Sequence, residues 1–228
     1  MTMQTLLERF QYIVIEGPIG VGKSSLARKL GAHLGAELLL EKADDNPFLE
    51  RFYSDQPGYA FQTQLFFLFQ RLKQMRALSQ PAMFSRGVVS DFLFAKDALF
   101  ARMNLSDDEY RLYSQMYAQA AAEVSPPDLI VWLQASPGTL MQRIRRRGIR
   151  MEQGITSEYL QRLCDAYIEH FASHDGAPLL TVVTERFNPV DVAADFELLL
   201  ETLAGLATRR AILDPGREPT LTQPAPLD

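Results

Sequence analysis

One cysteine, three histidines and one tryptophan are all that the 228 residues hold of those types. The lone thiol, Cys164, excludes a disulfide framework and a thiolate metal cluster. Its place in a helical stretch predicts a buried structural role. No uninterrupted apolar run approaches the ~20 residues of a membrane span, and the first residues lack a signal-peptide pattern. The expectation is a cytoplasmic protein that uses no membrane. Positive charge is not in excess: 23 Lys and Arg stand against 28 Asp and Glu, a net charge of −5. That balance disfavours a nucleic-acid polymer as partner, because a phosphate backbone asks for a basic face. Internal repeats are lacking too, so a solenoid is not expected.

Apolar residues make up 47% of the chain, enough for one well-buried α/β domain. Short apolar runs read as strands at 12–15, in AELLLEK (36–42), at 87–90, in PPDLIVWLQASP and in APLLTVVTERFNP. Helical spacing lies between them, over 22–34, 58–80, just after Asp91, 106–123, in GTLMQRIRRRG, in TSEYLQRLCDAYIEHFASH and near 190–207. Ser106 with Glu109 forms a capping box, and Thr156 is a helix cap. The alternation predicts a doubly wound parallel sheet of about five strands flanked by helices. It gives one domain over residues 1–208, followed by a polar, proline-rich tail over 209–228 that is expected to be mobile.

The most specific signal is YIVIEGPIGVGKSSLARKL (12–30), in which GxxxxGK[ST] is complete and sits between strand and helix. The phosphate-loop reading assigns Gly17, Pro18, Ile19, Gly20, Val21, Gly22, Lys23, Ser24 and Ser25 to a nucleoside triphosphate. Glycines let backbone N–H groups curl around phosphates, the helix N-terminus adds positive potential, Lys23 reaches the terminal phosphates, and Ser24 ligates Mg²⁺. The motif names a triphosphate and leaves the reaction open.

Strand C-termini in an open parallel sheet face one crevice, so carboxylates there are candidates for chemistry. Asp91 reads either as a Mg²⁺ ligand acting through water or as a helix N-cap. Glu41 reads as a ligand-facing carboxylate or as a solvated one opening an acidic turn, and Glu16 as structural. The run RIRRRGIRMEQG (143–154) carries five arginines in eight residues. It is either a solvated helix face or a lid that clamps a transferring phosphoryl group. Gln62, among aromatics, offers an amide that can pair with a base edge or be satisfied at the core edge.

Taken together, GPIGVGKSS, DDNPFLERFY, YAFQTQ, LQASPGTLMQRI and RGIRMEQGITSEYL resemble the deoxynucleoside kinases of the deoxyguanosine, deoxyadenosine and deoxycytidine type, over about Tyr12 to Pro189. The resemblance implies an ATP- and Mg²⁺-dependent kinase acting on a deoxynucleoside, purine-preferring, and a homodimer. By position, Glu41 matches the carboxylate that takes the 5′-hydroxyl proton. Tyr53 and Glu152 match the pair holding the 3′-hydroxyl, Gln62 the base-reading glutamine, and Arg143 and Arg147 lid arginines. TERFNP matches the loop against the adenine of ATP. In SDFLFAKD the register that keeps Asp91 at the strand end brings Asp97 onto the base-binding aspartate and puts Phe92 where the family has arginine. Lys96 is then a candidate for the missing cation, and whether Glu41 or Asp91 is the base stays open. Ile149 also stands where an arginine is common. Two other readings use the same architecture: a thymidylate-type monophosphate kinase, and a catalytically silent nucleotide-binding protein.

Overall fold

The computed structural model describes residues 4–54, 56–78 and 87–216. Six strands form one sheet: β1 (Tyr12–Glu16), β2 (Glu37–Leu39), β3 (Val88–Ser90), β4 (Leu129–Gln134), β5 (Leu179–Val183) and β6 (Arg210–Leu213). All pair in parallel, in the order β2-β3-β1-β4-β5-β6. Every residue of β1 and β3 and the first five of β4 are buried. Their continuous apolar runs are what a parallel strand covered on both faces requires. The chain leaves β1 for β2 on one side and later returns to β4 on the other, so the crevice at the strand C-termini opens beside β1.

The helices are α1 (Gln4–Arg9), α2 (Lys23–Leu34), α3 (Leu49–Ser54), α4 (Gln56–Leu78), α5 (Lys96–Asn104), α6 (Asp107–Ala121), α7 (Pro137–Arg147), α8 (Ser157–Ala172) and α9 (Ala193–Ala204). Ser106 and Glu109 make the expected capping box on α6, and the Thr156 hydroxyl accepts the Tyr159 N–H at the start of α8. Ser136 caps α7, with Pro137 in its first turn, and Gly148 ends that helix in the left-handed region at φ 67°. A glycine there carries no Cβ penalty.

Three expectations change. The sheet has six strands rather than five, because residues assigned to the tail pair with β5: Leu179 with Arg210 through Val182 with Leu213. The guanidinium of Arg210 also donates to Phe171 O at 2.8 Å, and that of Arg209 to Asp175 O at 2.9 Å, fastening β6 to the carbonyls at the end of α8 and its following turn. The domain therefore runs past 208, and residues 217–228 of the expected tail lie outside the described residues. Second, no helix begins directly after Asp91. Residues 91–95 form a packed turn in which Ser90 Oγ accepts the Phe92 N–H and Glu16 Oε2 accepts the Leu93 N–H at 2.6 Å. Asp91 is thus not a helix cap. Third, Cys164 is half-buried rather than buried, its Sγ 4.0 Å from Ala135 O. Among the described residues no helix is long and apolar enough to cross a membrane.

Candidate active site

The phosphate loop turns at Gly17, Gly20 and Gly22, with φ of 147°, 85° and 105°. The first of these has no room for a side chain: a Cβ on Gly17 would lie 2.4 Å from Leu133 O. Gly22 caps α2, so the free N–H groups of that helix point into the crevice. Lys23 Nζ donates to Pro18 O at 3.1 Å, bent back over its own loop. Burial, and next the nearby Lys96 charge, lower its pKa. Glu16, fully buried, accepts the Gly17 N–H and the Tyr167 hydroxyl, both at 2.8 Å. It ties loop to scaffold, as the structural reading expected.

Asp91 joins the loop to the next strand end. Its Oδ2 accepts from Ser24 Oγ and its Oδ1 from the Glu41 N–H at 2.7 Å. Glu41 lies two residues past the end of β2, and two cations hold it. Arg71 Nε donates to Oε1 at 2.9 Å, and Lys96 Nζ to Oε2 at 3.0 Å. Burial pushes the Glu41 carboxyl up, but the Arg71 and Lys96 charges outweigh it and hold the group well below the usual carboxylate range. Through Nη1 the same guanidinium also donates to Asp97, which is fully buried. Asp97 shares its cation with Glu41 and leaves Oδ2 unpartnered, so burial prevails and raises its pKa to about 6.

These groups line or underlie a cavity of about 820 Å³ bounded by α2, β2, α3, α4 and the lid. Tyr53 and Glu152 stand on its wall. Glu152 follows the lid in a 3-10 turn (Arg150–Glu152), pairs with Arg147 through Oε1, and keeps Oε2 buried without a partner. Burial raises the Tyr53 pKa well above its ordinary value.

Gln62 needs correction. It lies on the exposed face of α4, outside the cavity lining, whereas Gln64 is buried and on the wall. Two residues along a helix turn a side chain through roughly 200°, so one of the two must face away. The signal that separates them is spacing: Gln64 and Arg71 are two turns apart and share a face, and both line the cavity. Arg71 itself went unread in the sequence.

A second cleft of about 300 Å³ lies on the other side of the phosphate loop, lined by Gly20–Gly22, Arg143, Arg147, Phe187 and Asn188. Arg143 is fixed there, Nη1 donating to Thr184 Oγ1 at 3.0 Å and Nη2 to Thr184 O at 2.5 Å. Arg147 alone of the lid arginines lines both spaces. Arg150 turns away to Glu50 at 3.4 Å.

A glycine-rich phosphate loop at a helix N-terminus, opening onto a cavity of about 820 Å³ with a carboxylate between them, is the architecture of a phosphotransferase of the phosphate-loop class. The model of the family described as deoxynucleoside kinase matches residues 13–204, and the chain belongs to that family. It is 34% identical to a deoxyguanosine kinase of Bacillus subtilis, over 82% of this chain and 92% of the relative. It is 31% identical to a deoxyadenosine kinase of Lactobacillus acidophilus, over 84% and 94%. Among solved structures, a deoxyadenosine kinase from M. mycoides with products dCMP and a flexible dCDP bound superposes with a TM-score of 0.74. Sequence identity there is 26%, covering 85% of this chain and 99% of the other.

Proposed function

We propose that this enzyme transfers the γ-phosphoryl group of ATP to the 5′-hydroxyl of a purine deoxynucleoside, giving the 5′-monophosphate. One observation carries the reading. Glu41 stands between phosphate loop and cavity, held to the loop through Asp91 and Ser24 and to the cavity wall through Arg71. A cavity of about 820 Å³ is in the range of small-molecule sites, and catalysis of phosphoryl transfer is chiefly positioning and charge stabilisation.

In this reading Glu41 accepts the 5′-hydroxyl proton, Tyr53 and Glu152 hold the 3′-hydroxyl, and Gln64 takes the base-reading role first given to Gln62. Arg71, backed by Asp97, gives the base edge a fixed donor plane. The loop residues Gly17–Ser25, with Lys23, hold the phosphates. Arg143 and the 187–191 segment border the adenosine of ATP, and Arg147 closes over the phosphates. Ser24 and Asp91 offer hard oxygen donors that suit Mg²⁺. Among the described residues no group of three or more His, Cys, Asp or Glu could hold a metal by itself, so the ion would be shared with the nucleotide. When bound it neutralises phosphate charge. A homodimer and a cytoplasmic place belong to the same reading. Phe69 on α4 and Leu112 on α6 are large, apolar and more than half exposed on two helices that pack together, which supports self-association through that face.

Arg51, the cation that a thymidylate-type reading would use for an acceptor phosphate, is exposed and packs over the Tyr59 ring, outside the cavity lining. ADP release measured with ATP and a panel of nucleosides and nucleoside monophosphates tests the reading. Deoxyguanosine or deoxyadenosine should be used best. Turnover only with a monophosphate, or with thymidine best, would replace it.

A further inference from the structure

We propose that Lys96 is the catalytic cation that grips the phosphoryl group as it passes from ATP to the acceptor. The assignment rests on the functional reading above and adds a residue to it.

Lys96 is the first residue of α5 and only 3% exposed. Both facts disfavour it as a structural residue. A helix N-terminus already carries positive potential, so a cation in the first turn is misplaced unless an anion comes to it. Removing an ammonium from water also demands partners. An ammonium has three donors, yet its hydrogen bond among the described residues is the one to Glu41 Oε2 at 3.0 Å. Lys23, the phosphate-loop lysine, lines the same cavity as Lys96 and Glu41. Two lysines, Lys96 buried and Lys23 half-buried, therefore face a common space with Glu41 beside it, an arrangement that a polyanion would relieve.

The neighbouring cations have tasks of their own. Arg71 spends Nε, Nη1 and Nη2 on Glu41 and Asp97. Arg143 is held by Thr184, while Lys23 on the phosphate loop and Arg147, paired with Glu152, serve the phosphates of ATP in the reading above. Lys96, with two donors uncommitted on the cavity wall, remains to meet the equatorial oxygens, where charge spreads during transfer. In that step the 5′-oxygen forms its bond to the γ-phosphorus while the bond to the β,γ-bridging oxygen breaks. The hydroxyl proton passes to Glu41, and the leaving electron pair stays on ADP. Lys96 changes no covalent bond; it stabilises the oxygens of the group between the two.

The competing role is positional: Lys96 holding Glu41 in place and touching no phosphate. Kinetics on the full chain with ATP and deoxyguanosine or deoxyadenosine separate the two. Lys96→Gln should lower kcat about 10²- to 10³-fold, the size of losing one transition-state donor, with both KM values within about threefold. It should also lower the residual rate of Glu41→Gln by about tenfold or more. No further loss in that background would overturn the proposal. A second readout needs no turnover: with nucleoside present, affinity for ADP plus aluminium fluoride should fall in parallel with kcat, while affinity for ADP alone holds. Equal weakening of both, or of neither, also overturns it. If Lys96→Gln does not fold, Lys96→Arg takes its place under the same comparison of kcat with mimic affinity. A wild-type enzyme inactive on every deoxynucleoside would sink the functional reading itself, whereas an active wild type with an unimpaired Lys96→Gln sinks this assignment alone.

Discussion

The two halves of the crevice are built by different means. On the donor side, a run of nine residues forms the loop from three positive-φ glycines, its own backbone N–H groups and the N-terminal end of α2. On the acceptor side no short run suffices: Glu41, Arg71, Lys96 and Asp97 come from a loop, the middle of α4 and the start of α5, and meet as one buried ion network. A backbone cradle tolerates changes of side chain around it, because its donors are not side-chain atoms. A network of charges in low dielectric tolerates few, because each member neutralises the next. Mutational sensitivity should therefore be concentrated on the acceptor side.

The strongest test of that contrast is Arg71→Met. It leaves Glu41 and Asp97 without their shared cation and should cost about 3–5 kcal/mol of stability, the usual effect of stranding a buried charge, read as a shift in denaturation midpoint. A loss below about 1 kcal/mol would show that the network is looser than its geometry. Glu41→Gln should reduce kcat by roughly 10²-fold or more as the general base is removed, while ATP affinity measured by titration is retained. If turnover survives and Asp91→Asn abolishes it, the base is Asp91. Next in size, Gln64→Ala should raise the nucleoside KM by an amount worth about 1–3 kcal/mol. Gln62→Ala should stay within about 0.5 kcal/mol, as exposed substitutions do; the reverse ranking would put α4 in the wrong phase.

A smaller effect than those of Arg71 and Glu41 is one of pH. Asp97, raised to about 6 by burial, keeps its proton when folded at a pH where the unfolded chain has lost it. Its contribution favours the fold below the unfolded value and is lost as pH rises through 6. Wild type should therefore gain on the order of 1 kcal/mol relative to Asp97→Asn between pH 7 and pH 5, measured by urea denaturation at both. The Glu41 contribution runs the other way, present above the ordinary carboxylate range and lost as pH falls below it, so it leaves this window undisturbed.

The same contrast governs what could be read from the sequence. The phosphate loop was legible because its requirements are local: glycine where φ is positive, lysine and serine at the helix start. Glu41, Asp91, Tyr53 and Glu152 were legible as strand ends and motif positions, and they reach the crevice. The cavity-facing glutamine was not, because α4 is apolar around much of its circumference and YAFQTQ presents two glutamines whose positions only helix phase can separate. Arg71 reads as an ordinary surface arginine until Glu41 and Asp97 arrive from elsewhere in the chain. Strand β6 escaped because Arg210–Leu213 alternates between exposed and half-buried positions and its apolar run is only the three residues Ala211–Leu213, set between arginines and an Asp-Pro turn signal.

Strand β1 has one more consequence, for the order in which the chain can assemble. Its neighbours are β3 and β4, so Tyr12 lies against Val88 and Ile13 against Leu129. The Tyr12 N–H is received by Asp128, 116 residues away along the chain. By contrast β5 finds β6 after a single helix and its loops. Closing long loops is entropically costly and must precede the pairing that rewards it. The strand that delivers the phosphate loop thus waits for partners from the middle of the chain. The motif most compact in sequence is among the least local in its folding, and a chain stalled before β4 would carry the whole phosphate loop without the sheet that holds it in shape.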